Sequence, residues 1–113
     1  MSFRDLQRMQ LHIETYCADG FTFPNPTRDT DCITVIALSD STGWERLIFG
    51  KESDEPEMLR ELVIEIQRRD PDVIEGHNLF RFDLEYIEAR ARRHNVALTF
   101  GRDGSRLDTS LGD

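Results

Sequence analysis

Between Met9 and Tyr16, apolar and polar positions alternate. Met9, Leu11 and Ile13 fall on one side, and Gln10, His12 and Glu14 on the other. A period of two predicts a strand with one buried and one polar face. From Ala18 to Asp31 the alternation stops and Gly, Pro, Asn, Asp and Thr take over. That composition predicts a long loop, and Phe21, Phe23, Pro24 and Pro26 imply that it is ordered against the body. Cys32 to Ser39, with Ile33, Val35, Ile36, Ala37 and Leu38, reads as a buried strand. Ser41-Thr42-Gly43 is a turn and Trp44 to Phe49 a third strand, so residues 32 to 49 form a hairpin. Ser53 or Asp54 can cap a helix, with Pro56 in its first turn. Met58, Leu59, Leu62, Val63 and Ile66 then recur at helical spacing. That helix stops near Arg69, before Asp70-Pro71. Asp72 to Gly76 is a short strand, and a second helix runs from about Phe82 to His94 with Leu84, Ile87 and Ala91 on one face. Val96 to Phe100 is expected to be a fifth strand, and the polar tail from Gly101 to Asp113 to be mobile.

The resulting order is strand, strand, strand, helix, strand, helix, strand. Two hairpin-type connections followed by a helical crossover give an α/β fold, a mixed β-sheet flanked by helices. The ribonuclease H-like fold has this order, although order alone does not select it from other α/β folds.

Composition narrows the possibilities. With 113 residues the chain is one small domain, and its 38% hydrophobic and 32% charged residues describe a lean interior. No apolar run approaches membrane-spanning length, so no membrane partner is expected. The opening residues Met1-Ser2-Phe3-Arg4-Asp5 lack the apolar segment of a signal peptide, which makes the cytoplasm or nucleoid the expected location. A net charge of −8 has the wrong sign for gripping nucleic acid tightly. It does not exclude a nuclease, whose metal centre is itself built of carboxylates. Cys17 and Cys32 are too few for a disulfide framework and read as reduced thiols.

Two segments carry possible chemistry. In His12-Ile13-Glu14-Thr15, His12 and Glu14 share a face of the first strand and can reach one ion. The plain alternative is a solvated edge. In Gly76-His77-Asn78-Leu79-Phe80-Arg81-Phe82-Asp83-Leu84, a strand gives way to a helix, the place where ligands gather in open sheets. Asp83 lies in the first helical turn, where the dipole favours a carboxylate; ordinary capping would explain it equally well. Arg90, Arg92 and Arg93 read as a solvated basic face near a helix C-terminus, Trp44 as hairpin packing, and His77 as turn or core.

Taken together, the two segments resemble the first and second motifs of the DEDD, or DnaQ-like, 3′–5′ exonucleases. The nearest variety is the proofreading domain of family B DNA polymerases. There the first motif reads Asp-x-Glu, and the second reads Asn, three residues, Phe or Tyr, Asp. Asn78, Phe82 and Asp83 match the second in full. Phe23-Pro24-Asn25-Pro26, Asp70-Pro71-Asp72-Val73-Ile74 and Gly101 to Ser105 add accessory agreement, so the resemblance covers roughly residues 9 to 105. It implies two Mg²⁺ or Mn²⁺ ions acting on a single-stranded DNA 3′ end, with Glu14 and Asp83 as catalytic metal ligands. It also implies that Thr15 and Asn78 touch the terminal nucleotide and that Phe82 packs beneath the site, which makes all three candidate nucleic-acid contacts.

The pattern breaks in two places. His12 stands where the family has its leading aspartate. Imidazole offers one lone pair, cannot bridge two ions and favours softer metals, so His12 is a degenerate ligand. The third motif, Tyr or His followed four residues on by Asp, has no match: Tyr86 leads to Arg90 and His94 to Leu98. The expectation is therefore a partial exonuclease domain, truncated at its C-terminus and inactive alone. The rest of a polymerase chain would be its partner, or a second copy would dimerise through exposed apolar surface. Two alternatives stand beside it: a pseudo-nuclease interaction module that has lost its metal site, and a DnaQ-like RNA exonuclease.

Overall fold

The computed structural model describes residues 7–76 and 80–99. Three strands open the chain, β1 (Arg8–Thr15), β2 (Ile33–Asp40) and β3 (Glu45–Phe49). Helix α1 (Glu55–Arg69), strand β4 (Val73–Glu75) and helix α2 (Phe80–Arg93) follow. The sheet order is β3-β2-β1-β4. β1 pairs antiparallel with β2, β2 antiparallel with β3, and β1 parallel with β4. Helix α1 is thus the crossover that carries the chain from one edge of the sheet to the other, as a parallel partner requires.

The alternation read in β1 has the physical outcome expected of it. Met9, Leu11 and Ile13 are buried and meet Ile36 and Leu38 of β2 and Ile48 of β3 in one core. Met58, Leu59, Leu62 and Ile66 of α1 and Leu84, Ile87 and Ala91 of α2 cover that face. Trp44 packs against the edge of this core, with the Arg69 guanidinium 4.2 Å above its ring. Helix α1 begins with Pro56 in its first turn. The Asp54 carboxylate accepts the Lys51 N–H of a preceding 3₁₀ turn (Glu52–Asp54) and does not cap α1 itself. The helix closes at Asp70, whose left-handed φ of 50° lets its N–H donate to the Ile66 carbonyl at 2.8 Å.

Both helices lie on the same side of the sheet. Among the described residues the other side is bare. It carries Gln10, His12 and Glu14 of β1, Ala37 and Ser39 of β2, and Glu45, Leu47 and Phe49 of β3. A groove of about 400 Å³ runs across it, lined by Gln10, His12, Ala37, Ser39, Glu45 and Leu47 among others.

The fifth strand expected over Val96–Phe100 is reduced, among the described residues, to a single bridge position at Thr99. The chain leaves α2 through Asn95 in the left-handed region, and the Val96 N–H is spent on the Ala91 carbonyl. Leu98 joins the core without a regular ladder. The expected tail, residues 101–113, lies outside the described residues. No described helix is long and apolar enough to cross a membrane. Cys17 and Cys32 are free thiols, and burial pushes the Cys32 thiol upward.

Candidate nuclease site

The polar face of β1 ends in the candidate site. At its start, Glu75 of β4 accepts from Arg8 at 3.1 Å and from Gln10 at 2.5 Å, which neutralises that carboxylate within the sheet. Farther along, β4 has ended, and the first turn of α2 takes its place beside β1. There Asp83 accepts the Ile13 backbone N–H and lies 3.6 Å from His12 Nδ1. The Asp83 side chain is 12% exposed and that of His12 59% exposed. Burial raises the Asp83 carboxyl above the ordinary aspartate value, more than the opposing pull of His12 and the Ile13 N–H can offset.

Glu14 is exposed on the same face as His12. Among the described residues, no group of three or more His, Cys, Asp or Glu side chains gathers closely enough to hold a metal ion. The structure therefore brings His12 and Asp83 together and leaves Glu14 projecting beside them. Thr15 is half-buried, and its hydroxyl bonds to Tyr86. Phe82 is 41% exposed, its ring 5.6 Å from that of Tyr86. His77 and Asn78 lie outside the described residues.

The long loop between β1 and β2 walls one side of this end of the sheet. Buried Asp31 organises it, accepting from the Ala18 and Asn25 N–H groups, the Thr30 hydroxyl and Arg28 Nε. Burial would raise the Asp31 pKa, but these donors hold it below the usual carboxylate range. Tyr16, Phe21 and Phe23 stand 49%, 55% and 75% exposed, with the Arg28 guanidinium 3.8 Å over the Phe21 ring.

Arg90 corrects the reading of the basic run. Arg92 and Arg93 are exposed, but Arg90 is 1% exposed and points inward. Its guanidinium donates to the buried Glu55 carboxylate at 2.7–3.0 Å and to the Pro26 and Arg28 carbonyls of the loop at 3.0 and 2.8 Å. Glu55 also accepts the Ile33 N–H at 2.7 Å and pairs with His94 Nε2 at 2.8 Å. Although burial alone would raise the Glu55 pKa, these partners hold it below its ordinary value. Helical spacing was the available signal. Asp83, Tyr86 and Arg90 recur at steps of three and four along α2, so they share its inner face, and His94 follows four residues on, just past its end.

Residues 46–110, more than half the chain, match the model of the DNA polymerase family B exonuclease domain. Asp83 falls within that match; His12 and Glu14 precede it. The chain is 34% identical over 107 residues to a DNA polymerase of Archaeoglobus fulgidus, covering 95% of this chain and 13% of that protein. It is 43% identical over 110 residues to DNA polymerase 1 of Pyrococcus abyssi, covering 89% and 14%. Among solved structures, the family B DNA polymerase of Pyrobaculum calidifontis superposes with a TM-score of 0.76 at 30% identity, over 89% of this chain and 13% of that one. The chain thus spans about one-seventh of the length of these relatives.

Proposed function

This chain belongs to the family B DNA polymerases as a piece of their exonuclease domain, and on that premise we propose that it receives the 3′ end of single-stranded DNA at the end of β1 without hydrolysing it alone. The observation that carries this reading is the position of His12, whose ring nitrogen stands 3.6 Å from Asp83. Such domains work with divalent cations, which supply charge for activating water and stabilising a leaving oxygen. The donors at this end of β1 do not fit a pair of hard cations of the Mg²⁺ or Mn²⁺ type. A bridging position needs an anionic, two-oxygen ligand, and His12 offers a single nitrogen suited to softer ions. Asp83 also faces His12 and the Ile13 N–H, which compete with a cation for its oxygens.

What remains is a surface that can hold a strand end. Glu14, Thr15 and Phe82 lie at the mouth of the site, and exposed Tyr16, Phe21 and Phe23 offer faces on which unpaired bases stack. With a net charge of −8, the chain has little general attraction for phosphates, so its hold on DNA is weak and local. The relatives are several times longer polymerases, which supports the rest of a polymerase chain as its working partner. The loss of a carboxylate at position 12 also favours a second reading, a pseudo-nuclease module that serves assembly. Competition between DNA and RNA oligonucleotides of equal length, followed by anisotropy, tests the proposal. DNA should compete better. Equal or better competition by RNA would move the reading to an RNA exonuclease relative, and no binding of either would favour the module.

A further inference from the structure

The ladder between β1 and β2 slips by one residue between Glu14 and Thr15, so that Thr15 pairs with Ile33 while Glu14 pairs with Val35. A bulge of this kind turns the strand and re-aims the side chains beside it. Here the extra residue is Thr34 of β2, so the bulge lies opposite Glu14 and Thr15 at the end of β1. That end is fixed by three contacts. The Tyr16 N–H donates to the Cys32 carbonyl at 2.9 Å, and the Thr34 hydroxyl donates to the Glu14 carbonyl at 3.2 Å. The third comes from α2. Tyr86, 1% exposed, donates its hydroxyl to the Asp31 carbonyl at 2.6 Å and accepts the Thr15 hydroxyl on the same oxygen. One phenol thus ties the end of β1, the end of the loop and the helix that bears Asp83.

We propose that Tyr86 is the positioning residue of this site, fixing the end of β1 opposite the β2 bulge so that Glu14 is held in register with Asp83. Tyr86 touches neither carboxylate. Its influence passes through Thr15 on one side and through α2 on the other, where Asp83 lies three residues earlier on the same face. A phenol there needs no hydroxyl for packing alone, since its ring already fills the core beside Ile87 and Phe82. The two bonds made by the hydroxyl are what a positioning role requires and a packing role does not.

This inference rests on the 3′-end reading above. The test compares the full chain with Tyr86→Phe, Thr15→Val and the double variant. Each is titrated against a 5′-fluorescein-labelled oligothymidylate with a free 3′ end and against the same oligonucleotide closed into a circle. Hydrogen exchange is followed at the Tyr16 amide. Tyr86→Phe should keep the far-ultraviolet spectrum, expose the Tyr16 amide and lower the preference for the free end about fivefold, one hydrogen bond's net worth. At the Tyr16 amide the double variant should lose no more protection than Tyr86→Phe, because removing the phenol hydroxyl already removes the Thr15 bond. If the wild type prefers the free end and Tyr86→Phe preserves both that preference and the Tyr16 protection, the positioning role is overturned while the 3′-end reading stands. Additive losses in the double variant would also overturn it. If the wild type shows no preference for a free end, the 3′-end reading itself falls, and the inference with it. Should Tyr86→Phe fail to fold, Thr15→Val carries the decision: an unchanged Tyr16 amide and free-end preference overturn the role.

Discussion

His12 and Asp83 differ sharply in exposure, 59% against 12%, and that difference decides what their pairing can do. The imidazole remains open to solvent while the carboxylate is held by the helix and the Ile13 N–H, so the acid is fixed and the base is the adjustable partner. Substituting His12→Asp places a second carboxylate about 4 Å from any cation held by Asp83, a gain of roughly 1–4 kcal/mol across ordinary effective dielectrics. Mn²⁺ binding, read from the free-ion paramagnetic resonance signal, should therefore tighten by about tenfold or more; no change would mean that position 12 and Asp83 do not share one ion. Glu55 and Arg90 are the opposite kind of pair, at 0% and 1% exposure. Glu55→Ala strands a buried guanidinium and should cost about 3–5 kcal/mol in a urea titration, because breaking a buried pair from one side leaves an uncompensated charge. At this scale the sequence was legible where spacing within one element carried the information. Glu14 and His12 on a shared strand face, and Asp83 in a first helical turn, follow from periods of two and 3.6. Arg90 was grouped with Arg92 and Arg93 because a charge run does not reveal which member faces inward. Its partner Glu55 lies 35 residues away and leaves no local trace.

The β2–β3 hairpin, α1, β4 and α2 were all readable from periodicity and from punctuation at Ser41-Thr42-Gly43 and Asp70-Pro71. The fifth strand was not, because a β-favouring composition in Val96–Leu98 does not create a ladder partner, and the Val96 N–H had already gone to Ala91. The hairpin also carries an acid-sensitive joint. Asp40 accepts from the Thr42 hydroxyl and N–H, from Trp44 N–H and from Arg69 on α1. These donors, the Thr42 hydroxyl foremost, outweigh burial and lower its carboxyl to about 2. A carboxylate depressed in the folded state stabilises the fold above its unfolded value, near 4, and that contribution fades as pH falls toward 2. Between pH 4 and 2 the melting temperature should fall more steeply in the wild type than in Asp40→Asn, which has no such proton to bind. Parallel curves would remove Asp40 from the acid response.

At the scale of the molecule, one face of the sheet is covered by α1 and α2 and the other is bare among the described residues. Leu47 and Phe49 of the edge strand β3 stand 60% and 73% exposed there, with β2 between them and the charged strip formed by β1 and β4. Apolar surface of that kind favours a partner, and the net charge of −8 opposes a second copy of the same chain. Self-association should therefore rise with salt, which screens the repulsion without weakening apolar contact. Sedimentation at low and high ionic strength checks this, and Phe49→Lys should hold the chain monomeric in both. The central claim, a strand-end site of an exonuclease domain that does not hydrolyse alone, is tested most directly by incubating the chain with a 5′-labelled single-stranded DNA in Mg²⁺ and in Mn²⁺. The account predicts an intact oligonucleotide with either ion. Stepwise shortening from the 3′ end, abolished by Glu14→Ala, would contradict it.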